Sequence, residues 1–136
     1  MFRALFALAL LLTASPSLAQ TVPNSPEGLA SAFFSTLQGG NSLKAYNDIW
    51  RDTMMSKKQA DVEALAGQTD NALKIYGKAL GWELVSEEKI SASFYQHTYL
   101  VRTENVPLFF RIQFYKAQSR WVATNITFTD TYKNLP

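Results

Sequence analysis

His97 is the one histidine in the chain, and it alternates with two tyrosines, Tyr95 and Tyr99. A neutral imidazole beside phenols can hold or pass a proton near neutral pH, so His97 and Tyr99 have the makings of a general acid–base pair. On the covered face of a sheet the same triplet is a core histidine hydrogen-bonded to a neighbour, and that is the preferred reading. Other chemistries find fewer residues. Cysteine is absent, which removes thiol catalysis, thiolate metal sites and disulfides. A lone histidine without cysteine leaves too few good ligands for zinc, so no metal and no cofactor are expected. No serine lies in a nucleophile-elbow pattern, and Gly39-Gly40 is not followed by the Gly-Lys-Ser/Thr of a phosphate loop. Glu87 and Glu88 are adjacent, so on a strand they point to opposite sides. They read as a solvated edge rather than a glycosidase carboxylate pair.

Two aromatic groups could bind rather than react. Phe109, Arg111, Tyr115 and Trp121 would share the open face of a sheet, a composition that resembles interface hot spots. Tyr76 and Trp82, at the junction of helix and sheet, would stand at the mouth of a ligand pocket with Tyr95 and His97 deeper inside.

The elements that must position these residues follow from spacing. Ser25-Pro26-Glu27 is a helix start: a capping hydroxyl, a proline in the first turn and an acid at the positive end of the dipole. Leu29, Phe33 and Leu37 continue it to Gly39-Gly40. Asn41 or Ser42 caps a second helix carrying Tyr46, Ile49 and Trp50, closed by Met54-Met55. Ser56 caps a third that runs to Tyr76 and Gly77. The period then becomes alternating. Strands are expected over 82–90, 93–103, 108–116 and 121–130, joined by loops at 104–107 and 117–120. Helices first and an antiparallel meander after them mean α+β, with three N-terminal helices packed on a four-stranded sheet.

Joining the apolar residues of the last two strands on one face calls for an odd loop, 116–120, with Tyr115 opposite Trp121. Treating 104–107 as a four-residue loop sets His97 opposite Phe114, Tyr99 opposite Ile112 and Val101 opposite Phe110. The covered face would then hold Tyr95, His97, Tyr99 and Val101, and the open face Phe109, Arg111, Tyr115 and Trp121.

The first 19 residues read as a cleavable export signal. Arg3 gives a positive start, 4–12 is an apolar run too short to span a bilayer, and Ser17 and Ala19 are small residues before a cleavage after Ala19. The 136 residues less these 19 leave 117, enough for one domain over 20–136 with a core of roughly 25–130. Without the leader's Arg3 there are 12 basic against 11 acidic side chains. That balance sets up no field for nucleic acid or anionic lipid. The expected product is periplasmic or secreted, with no acylated cysteine and no membrane anchor once the signal is removed.

Three helices, the Tyr76-Gly77 helix end, and strands ending in Phe114-Tyr115-Lys116 and Phe128-Thr129-Asp130 make the chain resemble the nuclear transport factor two-like, or cystatin-like, superfamily. More narrowly it is similar to small uncharacterised exported bacterial proteins of that kind. The resemblance covers roughly 25–130. It implies a sheet curved around a helix into a cone, often with an apolar pocket, and an open sheet face that often dimerises. No catalytic motif of the superfamily maps onto this chain, and fold alone does not decide function. The expectation is a non-catalytic binding or assembly module for a protein partner or an apolar small molecule, possible as a homodimer. The alternative is an isomerase, dehydratase or hydrolase acting on a small apolar substrate in a cone pocket, with His97 and Tyr99 moving protons.

Overall fold

In the computed structural model, which describes Ser15 and residues 22–134, the helix signals act largely as written. The expected leader, Ser15 apart, lies outside the described residues, and so does its cleavage site. Ser25 Oγ accepts from Gly28 N at 3.0 Å, and Pro26 opens α1 (Pro26–Gln38). Asn41 Oδ1 accepts from Lys44 N at 3.0 Å and starts α2 (Ser42–Ile49). Here the first difference appears. Met54 and Met55 do not close α2; they belong to a separate short 3-10 turn, Met54–Lys57, capped by Thr53. Ser56 lies inside that turn and donates its hydroxyl to Thr53 O at 2.7 Å, so it cannot cap the next helix. α3 (Gln59–Tyr76) begins without a side-chain cap.

Gly77 ends α3 with φ 98°, ψ 167°, a conformation open essentially to glycine alone. A Cβ there would stand 2.6 Å from Glu104 Cβ. The sharp exit places the Tyr76 carbonyl where Asn105 N (3.0 Å) and Asn105 Nδ2 (2.9 Å) both donate to it, with Thr103 Oγ1 3.1 Å away. Helix end and loop are thereby clamped together. Gly77→Ala should therefore cost about 2–3 kcal/mol of stability, backbone strain and clash combined. Urea unfolding of the two proteins checks this, and a change below about 0.5 kcal/mol would mean that the clamp yields freely.

Four strands follow: β1 (Ala79–Ser91), β2 (Phe94–Thr103), β3 (Leu108–Lys116) and β4 (Trp121–Thr129), paired antiparallel in the order β1-β2-β3-β4. The described residues form an α+β fold: three α-helices and a four-stranded antiparallel sheet. Among the described residues no helix is long and apolar enough to cross a membrane.

The register departs from expectation at two places. Between β2 and β3 it is shifted by two: His97 pairs with Ile112, Tyr99 with Phe110 and Val101 with Leu108. The cause is Thr103, whose Oγ1 accepts from Val106 N (3.1 Å) and donates to Val106 O, drawing the turn into a longer loop. A shift of two keeps every side chain on its expected face. Between β3 and β4 the odd residue sits in a bulge at Thr124 rather than in the loop. Trp121 therefore pairs with Lys116, Val122 with Tyr115 and Ala123 with Phe114, and beyond the bulge Ile126 meets Ile112 rather than Phe110. This moves Trp121 from the open face to the helix-covered face. In β1 a bulge at Val85 shifts the pairing with β2, after which Ser86 pairs with Thr98 and Glu87 with His97.

Phe33 and Phe34 of α1 seat the helix on the inner face of the sheet. Phe34 lies 5.5 Å from Phe110 and 5.0 Å from Tyr99, centroid to centroid, and Phe33 lies 6.1 Å from Phe110. Tyr46 of α2 packs edge-on to Phe33 at 5.0 Å, and its hydroxyl meets Thr69 Oγ1 of α3 at 2.9 Å in full burial. That buried pair satisfies both hydroxyls and ties the second and third helices together.

Candidate functional site

Two places near the N-terminal half of α1 collect functional side chains. The first is a cleft of about 600 Å³ between α1, α2 and the start of β4. Its floor is apolar: Leu29 and Phe33 from α1, Ile49 from α2, and Trp121 from β4. Trp121 is available because the Thr124 bulge turns it inward, where it packs on Tyr95 at 4.7 Å, with Lys116 Nζ 5.4 Å from its ring. The rim is charged. Arg120 Nη2 donates to Arg51 O at 3.0 Å, while Lys44 and Arg51 both pair with Asp48, Arg51 at 2.6 Å. The Asp48 carboxyl, despite partial burial, is held below the usual range because Lys44 and Arg51 stabilise its anion. Lys44, Arg51 and Arg120 against Asp48 and Asp52 leave the rim one positive charge in excess. Asp52 takes φ 58°, which turns the chain between α2 and the 3-10 turn at the edge of this rim.

The second place surrounds His97. Its imidazole has no exposed surface, lies edge-on to Phe114 at 5.2 Å, and meets Tyr99 Oη through Nδ1 at 2.9 Å. The other ring nitrogen, Nε2, has no hydrogen-bond partner and faces Glu87 Oε2 at 3.9 Å. The bulge at Val85 is what brings Glu87, rather than Glu88, to the inner face. Glu27, from the first turn of α1, completes the group. One donor atom from each of Glu27, Glu87 and His97 falls within 4.8 Å of the others. Burial lowers the pKa of His97, and the two carboxylates pull it the other way. Burial raises that of Tyr99, reinforced by the same two carboxylates. Lys89 Nζ neutralises part of this charge, 3.6 Å from Glu87 Oε1 and 5.3 Å from the centre of the Tyr95 ring.

The residues singled out from sequence do not gather as expected. Tyr95 and His97 are neighbours at 6.4 Å, but Trp82 stacks on Phe34 at 5.9 Å and Tyr76 hydrogen-bonds Asp130 at the far end of α3. None of the four lines the 600 Å³ cleft. Phe109, Arg111, Tyr115 and Trp121 do not form one open patch either. Trp121 is on the covered face, Phe109 is buried beside Tyr132 of the C-terminal segment at 5.4 Å, and Arg111 is buried too. Tyr115 alone is exposed. Glu27 and the cleft residues of α1 were missed because each reads as an ordinary helix residue, an N-terminal acid or a core-facing apolar position. The signal that could have found them is the convergence of α1's start with the start of β4, which the Thr124 bulge conceals. No family model, curated protein or solved structure matches the chain.

Proposed function

We propose that this chain is an exported binding module that takes a small apolar molecule with an anionic end into the cleft between α1, α2 and β4. The observation that carries the reading is the cleft itself: about 600 Å³, within the roughly 300–1,000 Å³ usual for small-molecule sites, with an apolar floor and a cationic rim. Burial of the apolar body against Leu29, Ile49 and Trp121 would supply affinity, and Arg51 and Arg120 would orient the anion. The export leader and a sheet curved in the manner of the nuclear transport factor two-like superfamily belong to the same reading. Helices preceding a four-stranded meander support it. Acid–base catalysis by His97 and Tyr99 is less well supported, since the imidazole is sealed and the described cleft does not reach it.

Anilinonaphthalene sulfonate, an apolar ring system with one anionic group, is a suitable probe, with decanoate as competitor. Saturable binding of one probe per chain, displaced by decanoate and weakened several-fold by Arg120→Ala, is expected. Absence of saturable binding by the folded protein would overturn the proposal.

A further inference from the structure

Glu27, Glu87 and His97 come from three different elements, α1, β1 and β2, and each brings one donor atom to within 4.8 Å of the others. Two carboxylates beside an imidazole nitrogen place three electron-rich atoms together, an arrangement that calls for a positive charge between them. Lys89 answers only part of that demand, since it approaches Glu87 Oε1, the oxygen turned away from His97. His97 Nε2 is fully buried, without a hydrogen-bond partner, and directed into the cluster. We infer that Glu27, Glu87 and His97 form a binding site for a divalent first-row transition cation such as Zn²⁺.

The donor chemistry fits. Imidazole with carboxylates is a borderline-to-hard ligand set suited to Zn²⁺, Co²⁺ and Mn²⁺. Metal–ligand bonds of about 2.0–2.2 Å at tetrahedral angles place donors about 3.3 Å apart. The present separations, 3.9 Å for His97 to Glu87 and at most 4.8 Å within the group, close to that value by rotation of the two glutamates. Both glutamates are exposed, so their side chains have room to turn, whereas His97 is fixed. The fixing is of the kind metal-bound histidines show. With Nε2 on the cation, Nδ1 carries the proton and donates it to Tyr99 Oη, which sets both tautomer and ring orientation. Tyr99 is then a positioning residue. Three protein ligands leave at least one coordination position for water or an anionic ligand, and the cation would join the start of α1 to the β1–β2 hairpin.

The test uses the untagged full chain, stripped with EDTA and titrated with Zn²⁺ and Co²⁺. Because the chain has a single histidine, its imidazole nitrogen resonances report the site without assignment. One equivalent of Zn²⁺ is expected to move the Nε2 resonance to a metal-bound value, leave Nδ1 protonated, and raise Tm; Co²⁺ should give a visible spectrum of low symmetry. Tyr99→Phe should weaken Zn²⁺ roughly 10-fold, in the range of lost outer partners, and Glu27→Gln and Glu87→Gln should weaken it more. Lys89→Met, which frees Glu87 from its present ion pair, should tighten binding. These last three substitutions lie at exposed positions, so folding is not at stake in them. Zn²⁺ binding that leaves Nε2 unmoved, affinity unchanged in both glutamate variants, or no binding at millimolar Zn²⁺ would each overturn the inference.

Discussion

Phe34→Ala should remove about 3–5 kcal/mol of folding stability, the loss typical of a deleted core aromatic. Phe34 is 1 % exposed and is met by four rings: Phe33 at 5.1 Å, Tyr99 at 5.0 Å, Phe110 at 5.5 Å and Trp82 at 5.9 Å. Each such aromatic contact adds about 0.5–1.5 kcal/mol to the burial term. Domains of this size have about 5–15 kcal/mol in all, and this one has no cysteine with which to form a disulfide. The variant should therefore be partly unfolded at room temperature or melt well below the parent. Phe34→Leu keeps most of the volume and should lose only about 1–2 kcal/mol. Guanidinium unfolding followed by far-ultraviolet circular dichroism measures both. A loss below about 1 kcal/mol for the alanine variant would show that α1 does not seat this ring between β1, β2 and β3.

Ala32→Phe should lower the affinity for anilinonaphthalene sulfonate by roughly 30-fold, about 2 kcal/mol, while leaving stability nearly unchanged. Ala32 lies on the exposed side of α1 and lines the cleft, so a phenyl ring there fills binding space without entering the core. The helix cost of replacing alanine by phenylalanine is only about 0.5 kcal/mol. Stability and binding are thus separated, which a substitution of Leu29 or Phe33 would not achieve. Fluorescence titration gives the affinity and thermal melting the stability. Full-strength binding by a folded Ala32→Phe protein would place the probe elsewhere.

The elements were legible in the sequence because their signals are local. Ser25-Pro26, Asn41 and the glycines at 39, 40 and 77 mark helix ends through capping and backbone geometry. The alternation of Leu108, Phe110, Ile112 and Phe114 marks β3 to the residue. The site was less legible because it depends on two single-residue insertions in the ladder. The Val85 bulge turns Glu87 rather than Glu88 to the inner face and sets it opposite His97, and the Thr124 bulge carries Trp121 from the open face to the cleft. Alternation counted from either strand end gives the wrong face beyond the bulge, since one residue inverts every side chain. Glu27 illustrates a different limit. Its role near the helix dipole is visible locally, but its approach to His97 depends on where α1 lands on the sheet. The burial of Phe109 beside Tyr132 likewise follows from the return of the C-terminal segment, which no strand periodicity encodes.

The cleft between α1, α2 and β4 is the centre of this account, and amide and methyl chemical-shift mapping with anilinonaphthalene sulfonate tests it most directly. The expected result is a saturable set of shifts at Leu29, Ala32, Ile49, Trp121 and Val122, with Arg51 and Arg120 moving alongside and β1 still. Shifts confined to the exposed apolar residues of β1, Leu80, Leu84 and Ile90, or scattered without saturation, would contradict it.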